Sequence, residues 1–211
     1  MKFLTISDPS AYFDVTTLHT DRCRSADHRV LSNKEMWGTP KQFLAGQHLR
    51  NYTGALLNIS LGKDTVSYFK FKVMYRIFRN LKASNLICEV AINKRRDIDM
   101  SESSFFRNSG WSLQICRCID CYKVCLFAHC NATFIHKSIS EDKAGTSHSC
   151  SLGLYVNARQ RTIRLVETTK NSLVGVFLNV DIAEEDVVAF GVYNPSRLDV
   201  SVTLNSGSDV N

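Results

Sequence analysis

Proline is scarce in this sequence, with three in 211 residues, and no Gly/Ser-rich stretch interrupts its middle. These absences argue against long disordered linkers and for one compact domain. No uninterrupted apolar run approaches the roughly 18 residues that a membrane-spanning helix needs. The apolar opening of residues 1–6 is too short for a signal peptide. The sequence therefore predicts a chain without membrane insertion, located in the cytoplasm.

Cysteine, in contrast, is abundant, with eight residues in the chain. In the cytoplasm these thiols stay reduced, so the cysteine count does not predict a disulfide framework. An export signal outside this sequence is the alternative, because an even number of cysteines would also suit disulfide pairing. The sequence shows no RING-like array of Cys and His with two interleaved zinc sites.

The net charge of +6 is unevenly distributed along the chain. Residues 70–96 contain eight Lys or Arg residues and one acidic residue, Glu89. A basic segment of this kind favours an acidic partner, and an electrostatic binder of nucleic acid or acidic glycans is one alternative function. The other interpretation is a solvated strand face, and charge alone does not decide between them.

The hydrophobic pattern is that of β-strands. In residues 68–73, Phe69, Phe71 and Val73 alternate with lysines, which is typical of a strand with one buried face. Similar short runs indicate further strands at residues 86–92, 111–116, 122–128, 151–157, 162–167, 172–178, 187–193 and 198–204. No amphipathic helix of about 12 residues separates them, so the pattern predicts an all-β fold of two antiparallel sheets in a sandwich, or a barrel.

The order of several short motifs resembles that of the PRY-SPRY domain family. Residues 67–73 (SYFKFKV) and 152–157 (LGLYVN) resemble two SPRY strands, and residues 187–193 (VVAFGVY) resemble a late strand of the same domain. Residues 7–9 (SDP) and 30–32 (VLS) are similar to parts of the PRY signature. The departures include lysines in the first strand and Phe69 where the family has Trp, which indicate a divergent member.

This resemblance implies a SPRY-like, concanavalin-like jelly roll of one structural domain. Residues 1–60 would be a PRY-like segment packed on the sandwich, residues 61–205 the SPRY-like sandwich and residues 206–211 a tail. The family consists of recognition modules without shared catalytic residues, often at the substrate-binding end of tripartite-motif ubiquitin ligases. We therefore expect a binder of a protein or peptide rather than an enzyme. Ligase activity would need a RING segment that this chain does not contain.

Recognition is expected in loops, because loops concentrate binding residues on a rigid scaffold. The predicted recognition loops are residues 33–52, 79–85, 94–108 and 128–149. Aromatic and arginine side chains are the types that dominate protein interfaces. The candidate partner-binding residues are Trp37, Arg95, Arg96, Phe105 and Phe106.

The densest chemistry lies in residues 116–130. Cys118 and Cys121 have the C-x2-C spacing of zinc knuckles, but a second pair at that spacing is missing. The sequence therefore predicts no cofactor and small buried cysteines, which pack as small apolar residues. The alternative is a zinc-stabilised protein with Cys118, Cys121, Cys125 and Cys130 as ligands. A thiol-reactive site of Cys125, His129 and Asn131 is a further alternative, although nothing in the sequence marks an activated nucleophile.

Overall fold

The computed structural model of the chain describes residues 11–34, 48–103, 110–130 and 133–205. This part is almost entirely β-structure and contains one short helix, α1 (Arg95–Ile98). The strands are β1 (Cys23–Arg24), β2 (Val30–Ser32), β3 (Gly54–Leu56), β4 (Val66–Ile77), β5 (Leu86–Lys94), β6 (Trp111–Arg117), β7 (Lys123–Cys130), β8 (Thr133–Glu141), β9 (Ser147–Asn157), β10 (Thr162–Glu167), β11 (Ser172–Phe177), β12 (Asp186–Val192) and β13 (Leu198–Asn205).

The strands form two antiparallel sheets. Sheet one has the strand order β1-β2-β13-β4-β9-β10-β11, and sheet two has the order β3-β12-β5-β6-β7-β8. Every strand pair in both sheets is antiparallel. The predicted all-β fold with two stacked antiparallel sheets is therefore confirmed, and the barrel alternative does not apply.

The sheets face each other through the apolar half of each alternating strand. In β4 the alternate residues from Phe69 to Ile77 are buried, while the lysines between them are partly exposed. Aromatic rings close the contact between the sheets: Phe71 meets Phe190 with ring centroids 5.1 Å apart, and Trp111 meets Phe177 at 5.8 Å, both edge to face. Such aromatic pairs add about 0.5–1.5 kcal/mol each beyond the area that they bury.

Residues before β4 contribute strands to both sheets. β1 and β2 lie at one edge of sheet one, where β2 pairs with β13, and β3 lies at the edge of sheet two beside β12. Phe13 is fully buried against Phe190 of the main sandwich. The predicted tail, residues 206–211, lies outside the residues that the structure describes.

All nine predicted strands are present, but the predicted recognition loop at residues 128–149 is wrong. It contains β8, the end of β7 and the beginning of β9. β8 carries the apolar Phe134 on its outer face and Lys137 on its inner face, so its sequence lacks the apolar alternation of a strand with one buried face. It forms a strand because it pairs along β7 and because Ile135 and Ile139 pack against the core.

None of the helices among the described residues is long and apolar enough to cross a membrane.

Asn33 joins strands that are far apart in the sequence. Its buried side-chain amide donates to the carbonyl oxygens of Tyr193 (2.7 Å) and Leu198 (3.0 Å), and its Oδ1 accepts from the backbone N–H of Val200 (2.9 Å). Together these bonds tie the end of β2 to the connection between β12 and β13. The amide thereby satisfies three backbone groups near the edge of the core.

We predict that Asn33→Leu lowers the free energy of unfolding by about 2–4 kcal/mol, because it leaves three backbone groups without their partners. Denaturant unfolding monitored by circular dichroism measures this change. The matched control is Asn80→Leu at an exposed loop position, which should change stability by less than about 0.5 kcal/mol. Equal losses in both variants would show that the Asn33 amide has no special role.

Candidate functional site

An open groove lies on the outer face of sheet one, at the end where β4 finishes and β9 begins. Its volume is about 530 Å³. We call it the sheet-one groove. Most of its lining residues belong to the outward rows of neighbouring strands or to the adjoining edge, whereas Tyr75 and Val200 are buried in the core. The lining residues are Ser32, Lys34, Lys72, Met74, Tyr75, Arg76, Ser147, His148, Ser149, Asp199, Val200 and Ser201.

Strand register explains the shape of the sheet-one groove. Lys72, Met74 and Arg76 alternate outward along β4. Met74 stands between Ser149 on β9 and Ser201 on β13, and Arg76 stands between Ser147 on β9 and Asp199 on β13. Directly opposed residues in an antiparallel pair lie about 5 Å apart. Long side chains therefore stand between shorter ones, mostly serines, which leaves an open trough on the sheet.

The charge of the groove is positive. Lys34 pairs with Asp199 at 2.5 Å, which neutralises the carboxylate of the groove. Lys72 and Arg76 have no carboxylate partner among the residues that the structure describes. The basic segment predicted at residues 70–96 is thus divided: its first three basic residues lie on the outer face of sheet one, and its last three lie at the far end of β5 and on α1.

Loops from both sheets meet beside the groove. Residues 78–85, 118–122, 142–146 and 193–197 lie at this end, which we call the loop end. Backbone hydrogen bonds join them, including Ser84 N–H to the Arg117 carbonyl and Phe78 N–H to the Arg197 carbonyl, each at 3.1 Å. Exposed Arg79, Lys82 and Lys143 add positive charge there.

The predicted recognition loops do not form one surface. Residues 79–85 are at the loop end, and the segment 33–52 begins at the groove with Lys34. The described part of residues 94–108 instead lies on the outer face of sheet two, where Ile98 packs with Leu49, Tyr52, Leu56 and Ala189. Three of the candidate binding residues, Trp37, Phe105 and Phe106, fall outside the described residues.

The other two candidates, Arg95 and Arg96, are placed on α1, far along β5 from the loop end. Arg96 is 83% exposed, and its Nε lies 3.4 Å from Asp97 Oδ1. Arg95 is half-buried. Asp99, at the end of α1, accepts hydrogen bonds from the backbone N–H groups of residues 50–52. The arginine pair is therefore carried by a segment that is fixed to the sheet and separate from the sheet-one groove.

A buried polar network fixes residues 102 and 103, which follow α1, to sheet two. Glu89 on β5 is fully buried. Gln114 and Ser103 lie 3.3 Å and 3.2 Å from its Oε1, and the Tyr193 hydroxyl donates at 2.9 Å to its Oε2. The same hydroxyl is 2.8 Å from the carbonyl oxygen of Glu102. The sequence shows Glu89 inside an apolar run, but only the fold shows that residues 102 and 103 cover it.

The cysteine-rich segment forms the β6–β7 hairpin, and three of its cysteines meet. Among the described residues, Cys118, Cys121, Cys125 and His136 bring their ligand atoms within 4.8 Å of one another. Cys130, the fourth ligand in the sequence-based alternative, lies five residues beyond Cys125 on the opposite face of β7, about 17 Å away along the strand. His136 could not be found from the sequence, because its position depends on the pairing of β7 with β8.

The thiol-reactive alternative finds no support in this geometry. Cys125 and His129 are four residues apart on one strand, about 13 Å along its axis. Asn131, the third residue of that alternative, lies outside the described residues. Burial raises the pKa of the Cys125 thiol to about 12, so it is protonated at neutral pH. The seven cysteines whose side chains the structure describes are free thiols.

No protein-family model and no curated protein sequence matches the chain. Solved structures do match it. The stonustoxin structure superposes with a TM-score of 0.60 at 14% identity over 92% of this chain, which spans 28% of the stonustoxin chain. The PSpry domain of TRIM65 gives a TM-score of 0.59 at 10% identity, covering 92% of this chain and 88% of that domain. The PRY-SPRY-like fold that the sequence motifs implied is therefore confirmed, and identities this low establish the fold alone.

We predict that Tyr193→Phe lowers the free energy of unfolding by about 1–3 kcal/mol, because Glu89 loses a donor at a buried site. Burial raises the pKa of Tyr193 well above its usual value, and the nearby Glu89 raises it further, so the hydroxyl remains a donor at every physiological pH. Hydrogen exchange should also accelerate at residues 102 and 103.

The matched control is Tyr155→Phe on the outer face of sheet one, where Tyr155 packs beside Arg164. Its stability should change by less than about 0.5 kcal/mol. Unchanged hydrogen exchange at residues 102 and 103 in Tyr193→Phe would contradict the assigned anchoring role.

Proposed function

We propose that the chain is a protein-interaction module that binds an acidic, extended segment of a partner protein in the sheet-one groove. The PRY-SPRY-like fold supports the general function, since the domains that this fold resembles are recognition modules. The observation that carries the specific proposal is the pair Lys72 and Arg76, which line the groove and form no ion pair among the described residues. Asp199, which stands opposite Arg76, is paired with Lys34.

The chemistry of the groove fits a carboxylate-rich peptide. An arginine guanidinium and a lysine ammonium attract carboxylates, and Arg76 can bind one with two parallel hydrogen bonds. The hydroxyls of Ser147, Ser149 and Ser201 can donate to carboxylate or backbone carbonyl oxygens. Met74, 41% exposed in the middle of the groove, offers an apolar contact. This combination of charge, hydroxyl and thioether suits a polypeptide better than a uniformly charged polymer.

The surroundings of the groove support association with an acidic partner. Exposed Arg79, Lys82 and Lys143 at the loop end extend the positive surface beyond the groove itself. Like charges gathered on one surface accelerate encounter with an acidic partner, and this acceleration weakens as salt increases. The free thiols support a reducing compartment such as the cytoplasm.

We assign the chain no catalytic step. In a longer polypeptide that carries a RING segment, the same groove would select the proteins to be ubiquitylated. That role would add no chemistry to the present chain, since the RING segment would recruit the conjugating enzyme. Binding by the groove is therefore the function to test first.

Selection from a displayed library of short peptides tests the proposal. We expect the purified chain to enrich acidic sequences, and the double variant Lys72→Glu and Arg76→Glu to bind a selected peptide at least about tenfold more weakly. Each exposed ion pair contributes up to about 1 kcal/mol, and charge reversal adds repulsion. Fluorescence anisotropy with a labelled peptide measures the affinity.

The matched control is the double variant Arg95→Glu and Arg96→Glu, which changes the charge by the same amount on sheet two. It should retain the affinity of the unaltered chain to within about threefold, because α1 lies away from the groove. Loss of binding in this control with retention in the groove variant would move the site to α1. Binding of single-stranded RNA more tightly than any selected peptide at the same salt concentration would contradict the proposal and support the nucleic-acid alternative.

A further inference from the structure

The geometry points to a structural zinc site at the edge of sheet two, with Cys118, Cys121, Cys125 and His136 as its ligands. The sulfur and nitrogen atoms of these four side chains lie within 4.8 Å of one another. This inference does not rest on the proposed peptide binding, because none of the four residues lines the sheet-one groove.

The fold brings the four side chains together in two steps. The β6–β7 turn places Cys118 and Cys121 beside the beginning of β7: the Cys118 N–H donates to the Lys123 carbonyl at 2.8 Å, and Tyr122 adopts a left-handed conformation at φ 57°. The sulfur atoms of Cys121 and Cys125 then stand 3.2 Å apart. The turn supplies the change in chain direction that a C-x2-C-x3-C sequence needs for convergence.

The edge strand adds the fourth ligand. Cys125 pairs with Ser138, and Phe127 pairs with His136, so Cys125, Phe127 and His136 share the outer face of sheet two. The His136 ring stacks on the Phe127 ring, with centroids 4.6 Å apart and planes within 6°. This stacking supports the imidazole on the side of the strand where the three thiols meet. A metal ligand held by a neighbouring ring loses less freedom on binding.

The donor set and its dimensions suit zinc. Three thiols and one imidazole form the Cys3His set of structural zinc sites, in which four protein ligands close the coordination sphere. Zinc–sulfur bonds of about 2.3 Å hold two thiolates about 3.8 Å apart in a tetrahedron. No two ligand atoms of this cluster are more than 4.8 Å apart, so closure requires ligand movements of about 1 Å or less. Cys118 and Cys125 are buried and Cys121 is half-buried, which protects the bonds from competing water.

A bound zinc ion would connect the turn at the loop end to an edge strand. β8 pairs with β7 on one side and has no second strand partner among the described residues. A metal link from the β6–β7 turn to His136 would add a cross-connection beyond the ladder hydrogen bonds. Because only the folded chain brings His136 to the three cysteines, zinc binds the folded site more tightly than the unfolded chain, and this difference in binding energy adds to folding stability.

The first experiment measures metal in the full chain, purified in reductant and dialysed against metal-free buffer. Elemental analysis should find about one zinc per chain, as the four-ligand site predicts. Titration of the metal-free protein with Co²⁺ should produce thiolate-to-cobalt charge-transfer absorption and intense d–d bands typical of tetrahedral coordination. Adding a strong chelator should lower the midpoint of denaturant unfolding, and adding zinc should restore it.

Two variants and one control assign the ligands. His136→Asn and Cys121→Ser should each weaken Co²⁺ binding by more than the roughly 10- to 100-fold that loss of an outer-sphere partner costs. His136 is exposed, so its variant tests the site without disturbing the core. Cys130→Ala is the matched control, because Cys130 lies on β7, as the proposed ligand Cys125 does, but its side chain faces the core. It should bind Co²⁺ as tightly as the unaltered chain.

Three results would overturn the inference. The folded, reduced chain could fail to bind zinc or Co²⁺, or His136→Asn could bind both metals as tightly as the unaltered chain. The third result is a native mass spectrum of the chain kept in reductant that still shows a Cys121–Cys125 disulfide and no bound metal. In a disulfide the two sulfurs would approach to about 2.05 Å, and Cys118 and His136 would have no shared role.

Discussion

The packing of two sheets through alternating side chains is the constraint on which the rest of this structure depends. Each strand presents one apolar row to the core, so the opposite row is available for other roles. Edge-to-face contacts such as Phe71 with Phe190 fix the distance between the sheets. Once that interface is set, the outer face of every strand is determined by its register. The groove, the buried Glu89 network and the cysteine cluster all lie outside the central core.

The two outer faces have opposite characters because different segments cover them. Residues 48–52 and 95–103 pack on sheet two, where Ile98 and the Glu89 network close the surface. No comparable segment of the described chain covers the β4 portion of sheet one, so Lys72 and Arg76 meet solvent between shorter side chains, mostly serines. A fixed scaffold with one covered face and one open face is well suited to binding an extended segment without rearrangement.

Polar residues in this sandwich perform structural roles that hydrophobic patterns do not reveal. Asn33 satisfies three backbone groups between strands, and Glu89 collects donors from β6, residue 103 and Tyr193. Each joins segments that are distant in the chain, and each lies where an unpaired polar group would be costly. The cysteine thiols of the β6–β7 hairpin and the imidazole of His136 on β8 also join separate segments, with a metal ion as the proposed shared partner.

Alternation along the chain determined the all-β class and nine of the strands, because a period of two is a local property that each strand carries by itself. The motif order also indicated the PRY-SPRY-like fold. The pairing of strands in the folded structure decided which residues lie side by side, which alternation along the chain could not show. It made a strand of residues 133–141 and separated Lys72 and Arg76 from Arg95 and Arg96. It also placed His136 rather than Cys130 beside the three cysteines. The physical reason is that strand neighbours are set by contacts between distant residues, which no local pattern specifies.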